Sequence, residues 1–350
     1  MIRTGYLRPP AETGVLRLHL NENTGGCSPA ALSVIRGLSA GDLGRYPDYQ
    51  QAIAEVARVF RVPADYVLLT NGLDEGILAA TAAAFRRRDG FVPEAIGVRP
   101  AFDMYDTTVD GLGGRMRTVP LDPQFQWSAS SLLAVVSAAT RIIFVTNPHN
   151  PSGCCVPLSE ILELAAQSRP AVVFVDEAYA DFTHDTLLDP DVLRSMPNIV
   201  VGRTFSKAYG LAGLRIGALV ASPETLQPMR KIVPPYSVNA VAAAALPAAL
   251  ADSEYTSRYV KEACQSRDLI EDACGRLGVA VVPSAANFVL VRAGAVASAL
   301  ADALARRGIA VRDRSREPGC EGCLRVTAGR ITDTRRFVAA LEDAWRELQR

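Results

Sequence analysis

The run Arg141-Ile142-Ile143-Phe144-Val145-Thr146 is short, apolar and rich in β-branched residues, and it stops in the polar loop Asn147-Pro148-His149-Asn150-Pro151-Ser152-Gly153. The pattern returns at Ala171-Val172-Val173-Phe174-Val175, which stops in Asp176-Glu177-Ala178-Tyr179, and a helical pattern at 158–167 lies between the two. Runs apolar at nearly every position are strands buried on both faces. A helix between two such strands makes them parallel neighbours in one sheet. Further runs of this kind occupy 66–70, 95–98, 199–201 and 216–220. The alternation predicts an α/β fold, with a large domain built on a mostly parallel sheet covered by helices.

After about residue 250 the pattern changes. Residues 255–277 read as a long charged amphipathic helix, 280–283 and 288–292 as strands, 295–307 as a helix, 323–327 as a strand and 334–349 as a closing helix. These elements predict a smaller α+β domain over 251–350, a large domain over 39–250, and an N-terminal segment, 1–38, packed on the smaller one.

Composition narrows the function. Of 350 residues, 37 are Lys or Arg and 37 are Asp or Glu, so no net charge favours a nucleic-acid partner. A hydrophobic fraction of 49% with 21% charged residues fits a soluble globular enzyme. Residues 1–10 carry Arg3 and Arg8 and no apolar core, unlike a signal peptide. The most apolar stretch, 238–251, contains Pro247 and is too short to span a bilayer. The expectation is a cytoplasmic protein with no membrane contact.

Arg86-Arg87-Arg88 reads as the basic end of a helix. Seven cysteines include one C-x-x-C, Cys320-Glu321-Gly322-Cys323; His19, His149 and His184 add no metal-ligand spacing. Free thiols and no metal are expected.

The chemistry concentrates where strands end, the edge at which α/β sheets bind ligands. Gly202-Arg203-Thr204-Phe205-Ser206-Lys207-Ala208-Tyr209-Gly210-Leu211-Ala212-Gly213-Leu214-Arg215 sets one lysine among small residues. A lysine that attacks a carbonyl must be neutral part of the time, and burial or a nearby cation favours this. Thr204, Ser206 and Arg215 can hold a phosphate dianion. A carbonyl and a phosphate on one small molecule describe pyridoxal phosphate.

The other strand ends carry matching parts. Thr70-Asn71-Gly72-Leu73-Asp74-Glu75-Gly76 opens a helix, either as a phosphate cup of free N–H groups or as a plain start capped by Asp74. The two Asn-Pro units of 147–151 stiffen a loop that either aims the Asn150 amide at a phenolate oxygen or simply turns the chain. Asp176 reads as the partner of a protonated pyridine nitrogen or as a helix cap. Tyr179 offers a second donor to the oxygen that Asn150 would meet. Phe102, in Arg99-Pro100-Ala101-Phe102, stacks on a flat ring or fills the core.

Together these motifs resemble the fold-type I aminotransferases of class I/II, and within them look most like the histidinol-phosphate aminotransferase subfamily. The resemblance runs in order through Leu20-Asn21-Glu22-Asn23, Arg45-Tyr46-Pro47-Asp48, Asn71-Gly72-Leu73-Asp74-Glu75, residues 147–153, Asp176-Glu177-Ala178-Tyr179, residues 204–215 and Leu324-Arg325-Val326-Thr327. It implies a seven-stranded type of large-domain sheet and pyridoxal phosphate as cofactor.

It also implies roles. Lys207 would carry the cofactor covalently and move the proton of the substrate α-carbon. Asp176 would hold the pyridine nitrogen, and Asn150 and Tyr179 the ring oxygen. Gly72, Leu73, Asp74, Thr204, Ser206 and Arg215 would surround the phosphate, with Phe102 stacked on the ring. Tyr46 would reach the phosphate in a neighbouring subunit, which implies a homodimer with shared active sites. Arg325 would bind the substrate carboxylate or phosphate, Arg336 a second anion, and Asn23 would lie in a segment that closes over the substrate.

Three positions depart from that pattern: Phe102 where the subfamily usually has tyrosine, Thr24-Gly25 where a proline and an aromatic are usual, and Arg330 where a small polar residue is common. All face the substrate side. The expected reaction is a ping-pong transfer of an amino group from a histidinol phosphate-like donor to 2-oxoglutarate. An aromatic amino-acid aminotransferase, a threonine-phosphate-type decarboxylase or a secondary-metabolism enzyme on the same frame are the alternatives.

Overall fold

The computed structural model describes residues 14–86, 90–183 and 185–349. Residues 1–10, Arg87, Arg88 and His184, on which expectations were placed above, lie outside these.

The chain enters through a short strand, β1 (Leu16–Arg17), and then builds a seven-stranded sheet. Its strands are β2 (Val67–Thr70), β3 (Glu94–Arg99), β4 (Arg115–Pro120), β5 (Thr140–Thr146), β6 (Val172–Asp176), β7 (Ile199–Thr204) and β8 (Gly217–Val220), in spatial order β2-β8-β7-β6-β5-β3-β4. Helices such as Gly72–Phe85 and Leu158–Gln167 link and cover them. β4, β3, β5, β6 and β7 pair in parallel, whereas β8 pairs antiparallel with both β7 and β2. The link from β7 to β8 contains only a single 3-10 turn, Ala212–Leu214, with no helix to carry the chain back across the sheet. The strand therefore returns alongside its predecessor in the opposite direction.

Six of the seven strands match the apolar runs to within a few residues. β4 was not among them. It is an edge strand whose residues are exposed or half-buried, so its sequence, Arg115-Met116-Arg117-Thr118-Val119-Pro120, lacks the continuous apolar signal of a central strand.

The later elements are β9 (Ala280–Val282), β10 (Phe288–Arg292), β11 (Ile309–Ala310), β12 (Arg312–Asp313) and β13 (Cys323–Thr327). β12-β13-β10-β9 form an antiparallel sheet backed by the helices Ser253–Arg276, Ala297–Arg306 and Ile331–Leu348. β1 pairs in parallel with β11, and Leu18 is buried in the core behind this second sheet with Ile270, Leu300, Val326 and Phe337.

The segment before residue 38 divides between the two cores. Its helix Pro29–Gly37 buries Ala31 in the main core with Ala242, Ala245 and Leu246 of the helix Ala240–Ala251. Alanines let the two helices approach closely. The main core centres on Phe144, Phe174, Ile142, Ile143 and Phe205, all essentially inaccessible. Each such side chain stabilises the fold by about 1.5–3 kcal/mol relative to exposure. Among the described residues no helix is long and apolar enough to cross a membrane.

Candidate active site

Five parallel-running strands and the reversed start of β8 open on one edge of the large sheet. There a cavity of about 540 Å³ is lined by residues from β5, β6 and β7, by the start of the helix Gly72–Phe85, by Arg215 before β8, by Arg325 of β13 and by the Leu20–Glu22 segment. The reversal of β8 brings Arg215, at the start of a strand, to the edge where the other strands end.

Lys207 follows β7 on a tight loop and is half-buried. Its Nζ donates to the Leu20 carbonyl at 3.1 Å and lies 5.7 Å from the centre of the Tyr179 ring. The loop meets the N-terminal segment closely, since a Cβ on Gly210 would fall 2.0 Å from the Gly26 carbonyl oxygen. Gly210 also has φ +69°, which glycine adopts without cost. The Asn23 amide fastens the same contact by donating to the Ala208 carbonyl at 2.9 Å.

Asp176 ends β6, buried at the floor of the cavity. Its carboxylate accepts from the Tyr105 hydroxyl at 2.6 Å and from the Ala178 N–H at 3.0 Å. Burial pushes its pKa up to about 6, against the opposing pull of these hydrogen bonds. Tyr105 itself is held well above the usual phenol range, by burial first and the Asp176 charge second. The Tyr105 hydroxyl also lies 2.7 Å from Thr146 Oγ1, and its ring stacks on Phe144 at 4.6 Å.

On the wall opposite β6, Gly72 starts the helix Gly72–Phe85 with φ +73°, and a Cβ there would meet the Arg215 guanidinium at 2.8 Å. The cap residue is Asn71 and makes no side-chain cap bond. Asp74 is therefore inside the first turn, not the cap, and accepts from Arg215 Nη2 at 2.9 Å. Thr204 and Ser206 are buried beside this helix start, and the Ser206 N–H donates to Thr204 Oγ1 at 3.2 Å. Two hydroxyls, a guanidinium and a helix N-terminus thus converge, the donor set that a phosphate dianion needs.

The remaining groups come from the second core. Arg325 Nη1 donates to Asn150 Oδ1 at 2.6 Å, and Nη2 to the His19 carbonyl at 2.9 Å. A guanidinium only donates, so this bond fixes the Asn150 amide with its oxygen on Arg325 and leaves the NH₂ end to meet a ligand. Tyr179 accepts from Asn21 Nδ2 at 3.0 Å, which leaves its own O–H proton to be donated. Phe102 lines the same cavity and meets the Tyr105 ring edge to face at 5.7 Å.

The cavity lining includes Leu73, Asp74, Phe102, Asn150, Asp176, Tyr179, Thr204, Ser206, Lys207, Arg215 and Arg325. It does not include four residues assigned to the site from sequence, of which Gly72 begins the helix that supplies Leu73 and Asp74. Asn23 lines an adjoining cavity. Tyr46 is 78% exposed and stacks on Tyr236 at 4.3 Å. Arg336 donates to the Gly308 carbonyl at 3.2 Å, behind β11.

Tyr105, Asn21 and Thr146 carry polar contacts at the site that the sequence reading gave no role. Tyr105 lies three residues after Phe102, one helical turn on, and that spacing was the available signal. Asn21 has φ +54°, and its neighbours are Thr327 and Asn287, distant in sequence, so no local pattern marks it. His149, held between Ser152 and the Pro100 carbonyl, braces the Asn-Pro loop, and burial lowers its pKa to about 4.

The donor set fits pyridoxal phosphate. A buried carboxylate suits a protonated ring nitrogen, the Asn150 amide and Tyr179 hydroxyl suit a phenolate, and Gly72, having no side chain, lets the Arg215 guanidinium lie against the start of the helix. Among the described residues no group of His, Cys, Asp and Glu is arranged to hold a metal.

Residues 13–341 match the family described as aminotransferase class I and II. A histidinol-phosphate aminotransferase of Symbiobacterium thermophilum is 35% identical over 94% of this chain and 90% of its own. One from Syntrophotalea carbinolica is 34% identical over 97% and 96%. The crystal structure of the histidinol-phosphate aminotransferase of Sinorhizobium meliloti in complex with pyridoxal 5'-phosphate superposes with a TM-score of 0.84 at 30% identity, covering 95% of this chain and 91% of that one.

Proposed function

The chain belongs to the aminotransferase class I and II family and is a pyridoxal phosphate-dependent aminotransferase, and from that premise we propose that it moves the amino group of histidinol phosphate to 2-oxoglutarate. The observation that carries the reading is a single cavity holding Lys207, Asp176 and Arg325: an amine for the aldehyde, a carboxylate for the pyridinium and a cation for the substrate anion.

The cofactor, when bound, supplies an aldehyde that accepts the amino group and a pyridinium ring that draws off electrons. The protein does the rest. Asp176 would hold the ring nitrogen in its protonated form, because a carboxylate in so buried a place gains from a cation it can pair with. Asn150 and Tyr179 would donate to the ring oxygen. Thr204, Ser206, Arg215 and the N–H groups of Leu73 and Asp74 would anchor the phosphate. Lys207 would hold the cofactor through its amine and would carry the proton of the substrate α-carbon. Its contact with the Leu20 carbonyl keeps the freed amine beside the cavity. Arg325, fixed on Asn150 and His19, sets the donor's anionic end against the same amide that grips the cofactor. Donor and acceptor would use this one cavity in turn.

Tyr46 and Tyr236 present exposed stacked rings, and we assign this face to the second subunit of a homodimer, where Tyr46 meets the partner's cofactor phosphate. The protein works in the cytoplasm. A donor screen following loss of the cofactor's aldehyde absorption tests the substrate: histidinol phosphate reacts, and phenylalanine and tyrosine react far more slowly.

A further inference from the structure

A second cavity of about 460 Å³ adjoins the first and shares with it Arg17, Glu22, Ser206, Ala212 and Gly213. At the junction stands an ion pair, Arg17 Nη2 to Glu22 Oε1 at 2.8 Å, both side chains partly exposed to the cavities. Arg17 is the last residue of β1 and Glu22 lies just beyond Leu20, whose carbonyl accepts from Lys207. Two residues, Leu18 and His19, separate Arg17 from Leu20, a span of at most about 11 Å when extended, and Arg17, Glu22 and Lys207 line the same cavity.

A ping-pong enzyme must take two substrates with different far ends through this one opening. The donor proposed above ends in a ring with N–H groups, and the acceptor in a second carboxylate. One fixed charge would suit one and reject the other. An ion pair offers both signs, and in this partly exposed setting it is weakly held, so a ligand can part it. We infer that Arg17 is the specificity-determining residue for the acceptor: its guanidinium leaves Glu22 to bind the distal carboxylate of a dicarboxylic 2-oxo acid. Glu22 then serves as the resting counter-ion and the acceptor of the donor's ring N–H. Arg330, at the far side of the second cavity, is engaged by Asp333 at 3.2 Å and stays outside this exchange. The inference rests on the aminotransferase reading but not on the identity of the donor.

The test isolates the second half-reaction. Enzyme loaded with pyridoxamine phosphate is mixed with 2-oxoglutarate or with 2-oxohexanoate, which lacks the distal carboxylate, and regain of the aldehyde absorption gives kcat/KM for each. The wild type prefers 2-oxoglutarate. Arg17→Met lowers the ratio of the two values about tenfold or more, the change expected from losing a hydrogen bond between charged groups. Arg17→Lys, which keeps the charge, retains most of the preference. A ratio unchanged in Arg17→Met, or a wild type indifferent to the distal carboxylate, overturns the inference. If histidinol phosphate fails as a donor while the ratio still collapses in Arg17→Met, the donor assignment falls and the role of Arg17 stands.

Discussion

Tyr105 donates its hydroxyl proton to Asp176 across 2.6 Å, at the bottom of the cavity and out of reach of solvent. The bond stabilises the ionised carboxylate, the form that a pyridinium needs, in a place where burial works against it. Tyr105→Phe keeps the ring stacked on Phe144 and removes only that bond. Cofactor affinity is expected to fall about fivefold, the worth of a net hydrogen bond near 1 kcal/mol. Equilibrium titration of the apoenzyme with pyridoxal phosphate reads it.

The raised pKa of Asp176 has a signed consequence for stability. With a folded value near 6 against an ordinary 3.8, the folded apoenzyme binds more protons than the unfolded chain in this window. Its contribution to stability is present in full below about pH 4 and is lost as pH rises through about 6. Thermal melts of cofactor-free wild type minus Asp176→Asn should therefore slope downward from pH 4 to pH 6. Cofactor affinity should run the other way, weakening below pH 6 as the carboxylate protonates. A flat difference curve would remove Asp176 from the buried, cation-seeking role.

Lys207→Ala is expected to abolish transamination and the covalent cofactor that borohydride traps. Loss of a positioned proton carrier alone lowers a rate by about 10²–10⁴. Measurable cofactor should remain bound without covalent attachment, because the phosphate cup and Asp176 are untouched.

Arg325→Ala removes the guanidinium that faces the donor's anion and also frees the Asn150 amide. The donor KM should rise by the equivalent of about 2–5 kcal/mol. Cofactor affinity should fall much less, since Asn150 retains its NH₂ group. Steady-state kinetics with cofactor in excess separate the two effects.

Much of this site was legible in the chain because each part sits at the end of a strand. Asp176 follows Val172-Val173-Phe174-Val175, and Lys207 follows β7; local apolar runs fix the strands, and the sheet gathers their ends. The reversal of β8 was not legible, although it is what brings Arg215 to the phosphate side, because strand direction is set by the connection and not by composition. Nor was the Asn21–Tyr179 bond, a meeting of residues 158 apart in sequence. Arg336 shows the opposite limit. Its spacing matched an anion-binding position, yet the helix Ile331–Leu348 turns its guanidinium to the Gly308 carbonyl, away from the cavity.

The most direct measurement is a single half-reaction. Stoichiometric histidinol phosphate is added to the cofactor-loaded enzyme without any keto acid, and absorbance and product are followed together. The account predicts loss of the aldehyde absorption with one equivalent of carbonyl product per site and no carbon dioxide. An unchanged absorption with this donor, alongside bleaching by phenylalanine or tyrosine, or cofactor turnover without amino transfer, would contradict it.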